Sequence, residues 1–310
     1  MTDVSVLIVG YNSRNYLDAC MRHLRQAAKG LSIEVLFVNN GDDGSEEIVR
    51  DHFPGSVIVP SQGNVGFAAG MNLLANRANG PLLFLLNPDV ELHPNAIVEL
   101  HAVSRDHPDY KILGSLAVGA DGTFDLRSLP ALPKITELLK GAVGLSERMR
   151  QIDLTSRLVE IEAVCGGMMM VRTEAWHELG GMDESFFLYS EELDLCARLR
   201  ASGARIGLVP ASKGFHDIGS GAGLSPKRIQ FLITGAAHYY HKHFAAPLAW
   251  LTVFCLWLNC FNRYVAGRLF GNRVASFASF PATYENVVTR PWSWWRGYAS
   301  PGADPRYTQS

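Results

Sequence analysis

Leu82-Leu83-Phe84-Leu85-Leu86-Asn87-Pro88-Asp89-Val90-Glu91 is an apolar run that stops abruptly at a carboxylate. A continuous apolar run of this length reads as a strand buried on both faces. Pro88 then blocks further ladder pairing, so the pattern predicts that Asp89 is delivered to a sheet edge. That is where open α/β sheets bind ligands.

The chain on either side alternates short apolar runs with helical periods. Strands are expected near Val4 to Val9, Glu34 to Val38 and Val57 to Val59. Helices are expected from about Ser13 to Ala28, from Ser45 with Glu47 near its first turn, from about Gly66 to Ala78, and after Pro94. Such alternation means a mostly parallel sheet with helices on both faces. From about Gly119 to Leu158 prolines and glycines replace strands, which predicts an irregular segment with one helix near Ile135 to Val143, a place where lids are often found. Order returns over Glu162 to Val171, followed by helices near Glu174 to Leu179 and Ser190 to Ala201 around the Gly180-Gly181 break. Two short strands follow, Arg205 to Val209 and Lys213 to His216.

The 310 residues, 47% apolar and 10% aromatic, suffice for a packed core, and a net charge of −2 with no Lys/Arg run argues against a nucleic-acid partner. Five scattered cysteines without a C-x-x-C pair support neither a disulfide framework nor a zinc knuckle, and fit a reducing cytoplasm. The first segment reads as a strand and not as a targeting peptide. Beyond Ser225 the composition turns aromatic and helical. The stretch Ala245 to Phe261 is nearly uncharged, yet it contains Pro247 and Asn259 and falls short of the ~20 apolar residues of a bilayer span. It is expected to lie on a membrane or on the catalytic domain without crossing a bilayer, or else to be a buried helix of the domain's own core. The division expected is a catalytic domain at 1–224, with a nucleotide-binding part at about 1–118 and an acceptor part at about 119–224, and a helical aromatic-rich region at 225–310.

Four constellations carry chemistry. Asp89, with Asn87 and Glu91 two residues to either side, places oxygen ligands on one side of an extended backbone, suited to a hard divalent cation; a turn-capping acid after proline is the alternative. In Phe186-Phe187-Leu188-Tyr189-Ser190-Glu191-Glu192-Leu193-Asp194-Leu195-Cys196-Ala197-Arg198-Leu199, Ser190 reads as an N-cap with Glu191 and Glu192 in the first turn. The spacing puts Glu192 on the interior stripe with Leu195, Cys196 and Leu199, while Asp194 and Arg198 are i, i+4 partners; the alternative is a pair of helix-start acids without a catalytic task. His216 stands at a strand end before a glycine-rich loop that could wrap a phosphorylated ligand, and as a neutral imidazole it could complete the shell begun by Asp89, although a lone histidine is usually only a hydrogen-bonded residue. Gln62 to Asn72, with Asn64 and Gly66, is a glycine-spaced turn opening a helix, but it lacks the dinucleotide spacing. Gly166 and Gly167 suggest backbone crowded against a ligand, or a bulge.

Taken in order, these pieces resemble glycosyltransferase family 2, and within it the rhamnosyltransferase-like members that build bacterial surface polysaccharides. The matching text is Val6 to Ser13, Asn64 to Asn72, Leu86-Asn87-Pro88-Asp89, Gly181 to Leu195, and His216, together covering the chain to about Ser220. The resemblance implies a GT-A fold: an α/β, mixed, mostly parallel sheet flanked by helices, here with a helical C-terminal extension. It implies an inverting transfer from a nucleotide-diphosphate sugar donor, such as dTDP-rhamnose, assisted by Mg²⁺ or Mn²⁺. The acceptor it implies is a glycan or polyprenyl-linked molecule, met in the cytoplasm at the inner face of the membrane. Peripheral membrane contact through residues 245–268 and homo-oligomerisation are further expectations.

Residue by residue, Asp89 resembles the metal-binding acid of the family's Asp-x-Asp element, with Asn87 in place of the first acid. Glu192 stands where the catalytic base stands, with Glu191 and Asp194 as supports, and His216 resembles the late metal-ligand histidine. Tyr11 and Asn12 match the first nucleotide-binding loop, and Asn64 and Gly66 a second. The family's usual Val-Asp-Asn is here Val38-Asn39-Asn40, so the acid that reads the nucleotide base becomes an amide and the base preference stays open. Glu192 replaces an aspartate of many relatives. The competing expectations are a degenerate, non-catalytic glycan-binding or scaffold protein and a sugar nucleotidyltransferase, which would want a basic Gly-rich triphosphate loop where Tyr11-Asn12-Ser13-Arg14 stands.

Overall fold

The structure is a computed structural model that describes residues 1–119, 123–124, 129–142, 152–216 and 225–299. Its centre is a nine-stranded mixed sheet. Strands β1 (Val4–Gly10), β2 (Ile33–Asn39), β3 (Val57–Val59), β4 (Leu82–Leu86), β5 (Val90–Leu92), β6 (Tyr110–Val118), β7 (Val159–Glu160), β8 (Met168–Arg172) and β9 (Arg205–His216) are ordered β3-β2-β1-β4-β8-β6-β9-β5, with β7 on β9. The β3-β2-β1-β4 half is parallel; β8 runs antiparallel to both β4 and β6.

The Leu82–Leu86 run is a central strand for the reason its composition implies. Leu82, Phe84 and Leu86 pack into a core with helices α1 (Arg14–Ala27), α2 (Ser45–His52) and α4 (Ala96–Asp106). Leu83 and Leu85 face the opposite core, built with α3 (Phe67–Ala75), α6 (Thr173–Glu178) and α7 (Glu191–Ala201). All five side chains are buried, and each contributes about 1.5–3 kcal/mol by leaving water. Between them lies α5 (Ile135–Ala142) in chain order, and after β9 come α8 (Pro226–His243), α9 (Ala246–Phe270) and α10 (Phe280–Thr289). The last three enclose a third apolar cluster around Tyr240, Val253, Val287 and Trp294, into which Phe186 also packs.

Several expectations need correction. The chain after Asp89 does not leave the sheet; Val90–Leu92 pairs with the far end of β9. Tyr110–Val118, which lacks a strong alternation, is a nine-residue strand. The two strands expected at 205–209 and 213–216 are one strand, because β6 follows β9 across an irregularity between Ser115 and Leu116 and keeps the ladder continuous. Order over 162–171 is confined to β8, which starts at Met168, so Gly166 and Gly167 precede the strand. Among the described residues no helix is long and apolar enough to cross a membrane.

Candidate active site

β1 and β4 are parallel neighbours, with Leu7 paired to Leu85, and β2 leaves β1 on its other side. The order of connections therefore reverses at β1, and the loops at the carboxyl ends of β1 and β4 splay apart to leave a crevice. Tyr11, Asn12 and Ser13 form one wall of it, and Asn87, Pro88 and Asp89 the other. Asn40, Asn64, Gly66, Phe67, Tyr189 and Lys227 complete a cavity of about 330 Å³.

Asp89 Oδ1 lies 3.5 Å from His216 Nε2, at the outer limit of a hydrogen bond. Asp89 Oδ1 and His216 Nδ1 are both buried and otherwise lack a hydrogen-bond partner. Burial pulls the imidazole pKa down, but Asp89 and neighbouring Cys165 outweigh it and raise it to about 9. Among the described residues there is no cluster of three or more His, Cys, Asp or Glu that would cage a metal. The pair nevertheless suits Mg²⁺ or Mn²⁺, which bind through one carboxylate or a few protein ligands and leave the remaining positions to water and substrate phosphate. The buried Asp89 Oδ1, with only the distant His216 Nε2 beside it, is the observation that fits such an ion.

Gly166 and Gly167 hold the site together. A Cβ on Gly167 would lie 2.9 Å from Asn87 Nδ2 and 3.4 Å from His216 Cε1, and one on Gly166 would lie 3.4 Å from Glu192 Cβ. Two consecutive glycines thus floor the space between His216 and Glu192. Asn87 is fastened to the same floor, its N–H donating to the Gly167 carbonyl at 3.0 Å.

At the start of α7 the two glutamates differ from expectation. Glu191 is the buried one, with Asp194, Leu195 and Leu199 on its side, while Glu192 is only half-buried beside Gly166. Tyr189 and Ser190 both take left-handed backbone, φ +67° and +73°, which turns the first helical residue inward. Ser190 consequently makes no side-chain cap; its carbonyl accepts from the Asp194 N–H. Burial and then the Glu192 charge push the Glu191 pKa well above the usual carboxylate range. Burial also raises Glu192, partly offset by the amides of Glu192, Ser190 and Leu193. Asp194 does not approach the cavity. It ties α7 to α8, receiving Arg198 Nε at 2.8 Å, Lys242 Nζ at 2.7 Å and His243 Nε2 at 2.8 Å.

Asn39 is not on the cavity wall. It is buried below it, donating to Asp43 and accepting from the Gly41 N–H, so that it shapes the loop that leads to α2. Its neighbour Asn40 takes the wall position, with Nδ2 donating to the Gly66 carbonyl. The alternation of β2 accounts for the exchange: Phe37 and Asn39 point to the α1 side, Val38 and Asn40 to the α3 side where the cavity lies. Gly66, at φ +86°, admits the carbonyl of Phe187 where a Cβ would collide. Lys227, in the first turn of α8, is the one cation among the described residues lining the cavity. No local signal in the sequence marks it, since it follows the glycine-rich loop by several residues. That loop, 217–224, lies outside the described residues.

The model of "Glycosyl transferase family 2" matches residues 5–180, and that of "N-terminal domain of galactosyltransferase" matches 147–218. The chain is 26% identical over 250 residues to N-acetylglucosaminyl-diphospho-decaprenol L-rhamnosyltransferase of Mycobacterium tuberculosis, covering 73% of this chain and 80% of that protein. It is 22% identical to Rhamnosyltransferase WbbL of Escherichia coli, over 69% of this chain and 83% of that one. Among solved structures, the mannosyltransferase PcManGT from Pyrobaculum calidifontis, in complex with GDP-Man and Mn²⁺, superposes with a TM-score of 0.55 at 13% identity. The match covers 94% of this chain and 82% of that chain, and shows the shared GT-A fold.

Proposed function

The chain belongs to glycosyl transferase family 2, and from that premise we propose that it is an inverting, metal-assisted transferase of L-rhamnose from a nucleoside-diphosphate donor to a lipid-linked glycan acceptor. The sugar and the acceptor class are supported by the names of its relatives, and the divalent ion by Asp89 and His216. The catalytic part is taken as residues 1–224 and the helical region as 225–310. The observation that carries the reading is the pair of consecutive glycines: Gly166 lies against the half-buried carboxylate Glu192, and Gly167 lies against Asn87 and against His216, the partner of Asp89 on the cavity wall.

Glu192 takes the proton of the acceptor hydroxyl as that oxygen attacks the anomeric carbon from the face opposite the diphosphate. One C–O bond forms, the bond to the diphosphate oxygen breaks, and the diphosphate leaves with the electron pair. A divalent ion held by Asp89 and His216 would supply positive charge for the departing diphosphate. Lys227 adds a further cation on the cavity wall. Tyr11, Asn12, Asn40, Asn64 and Gly66 line the part of the crevice where the nucleoside would sit.

The test is a thermal-shift panel of nucleoside-diphosphate sugars with and without Mn²⁺, followed by transfer to a short-chain polyprenyl-diphosphate glycan. A ligand that binds only the native state raises the melting temperature, by an amount that grows with its affinity. Stabilisation by a rhamnose donor and formation of a rhamnosylated product are expected. A protein that no nucleotide sugar stabilises, and that transfers nothing, is not this enzyme.

A further inference from the structure

The outer face of α9 carries an unbroken aromatic stripe. Trp250, Phe254, Trp257 and Phe261 recur at i, i+4, i+7 and i+11, a single helical face about 16 Å long. Trp257 is pinned through Nε1 to the Val288 carbonyl and stacks between Phe254 and Phe261, with centroids 5.9 and 5.2 Å away. At its N-terminal end the stripe meets Trp295, 6.4 Å from Trp250, and beside Trp295 stand Trp294, which is buried, and Trp292, which is not. Trp250, Phe254, Trp257, Trp294 and Trp295 border an apolar groove of about 390 Å³. Trp292 is 65% exposed, Phe254 55% and Trp250 46%. A contiguous aromatic surface of this kind marks a place of association.

Charge selects the partner. Residues 245–299 contain five arginines and a single acid, Glu285, although the whole chain has more acids than bases. Arg290 and Arg296, both exposed, bracket the tryptophan segment, and exposed Arg268 continues the α9 stripe beyond Phe261. Tryptophans prefer the level of lipid headgroups, and clustered arginines beside an apolar helical face are drawn to anionic lipid. We propose that the stripe of α9 with Trp292 and Trp295 docks this protein on the surface of an anionic bilayer, without crossing it.

The surface is joined to the candidate active site by one rigid element. Lys227, on the cavity wall, and His241, whose ring meets Trp250 at 4.7 Å and whose Nε2 bonds to the Trp295 carbonyl, lie at opposite ends of α8. Fourteen residues of helix separate them, about 21 Å. The docked face therefore sits one helix length from the crevice. This deepens the proposed function by naming the surface on which a lipid-linked acceptor would be met, and it rests on that reading only for its purpose.

The experiment is co-sedimentation of the full chain with phosphatidylcholine vesicles, with and without phosphatidylglycerol. The variants are the triple substitution Trp250→Ala, Phe254→Ala, Trp292→Ala and the double substitution Arg290→Glu, Arg296→Glu. The wild type is expected to bind the anionic vesicles at least ~10-fold better than the neutral ones, and each variant to lose at least ~10-fold of that binding. Circular dichroism confirms that each variant is folded; for any that is not, Phe254→Ser and Trp292→Ser alone take its place. Donor-induced thermal shift without vesicles is expected to be unchanged, which separates failure of docking from failure of the enzymatic assignment. Absence of vesicle binding by the wild type, indifference to lipid charge, or undiminished binding by the triple variant would each overturn the proposal. So would a dimer in light scattering that the triple variant abolishes, because the face would then belong to a second copy of the chain.

Discussion

Glu191 and Glu192 are adjacent in sequence and opposite in situation. Burial and then the Glu192 charge push the pKa of the buried Glu191 well above the usual carboxylate range, which favours its neutral form, and glutamine resembles that form closely. Glu191→Gln should therefore keep kcat within about tenfold of wild type, whereas Glu192→Gln, which deletes the proposed proton acceptor, should lower kcat at least ~10²-fold with donor affinity retained. Stopped assays of transfer, paired with donor titrations by thermal shift, separate the two; a large loss in Glu191→Gln with a small one in Glu192→Gln would exchange the assignments. Because burial also raises Glu192, the acid limb of the kcat profile should lie above the ordinary glutamate value of 4.5 and vanish in Glu192→Gln. Asp89→Ala should erase the part of the donor-induced shift that depends on Mn²⁺, and a variant with full metal dependence would remove Asp89 from the ion's shell. Residues at strand ends were the legible part of this site, since the sequence places Asp89 and His216 by where their strands stop. Asn40 and Lys227 were not legible: the first depends on which way β2 alternates, the second on where a distant helix begins.

Elements of strong period, such as α1, β1, β2 and β4, are found within a residue or two of where the sequence predicts them. Those decided by tertiary pairing are not, as β5, the length of β6 and the continuity of β9 show, because their ladder partners lie far away along the chain. The approach of α8 to the segment just before α7 is another such feature. Gly235 lies against the carbonyl of Tyr189, and a Cβ there would collide with it, while the Tyr298 hydroxyl donates to the carbonyl of Leu188. Gly235→Ala gains about 1 kcal/mol of helix propensity but forces backbone apart at a cost of about 1–3 kcal/mol. The net expectation is a protein less stable to urea by about 1 kcal/mol with a lowered kcat, since Tyr189 and Ser190 set the direction of the first turn of α7. Undiminished kcat in a destabilised Gly235→Ala protein would mean that the left-handed pair does not depend on this contact. Asp194→Ala leaves Arg198, Lys242 and His243 facing one another without their shared carboxylate. About 3 kcal/mol of stability should be lost, the lower end for a partly open network.

At the scale of the whole molecule, the sheet and the helical region meet through carboxylates on one side and cations on the other. Lys242 of α8 is paired with both Asp183 and Asp194, and His238 bonds to Ser185 next to Asp183. Burial would raise the Asp183 pKa, but hydrogen bonds from Lys242 and Ser185 more than offset it and lower it from 3.8 to about 2. Asp194 is likewise held below its usual range: His243, Lys242 and Arg198 outweigh the effect of burial. A carboxylate whose pKa is depressed by folding contributes stability above its unfolded value, and that contribution is lost as pH falls through the folded value. The window here runs from about pH 4 down to about pH 2. The urea midpoint of the wild type should therefore fall steeply across that range. Asp183→Asn, which lacks the contribution at every pH, should start lower at pH 7 and decline with a shallower slope between pH 4 and pH 2. If the two slopes coincide, the Asp183–Lys242 contact carries no net stability, and the helical region is held to the sheet by the Asp194 pairs and by apolar packing around Phe186.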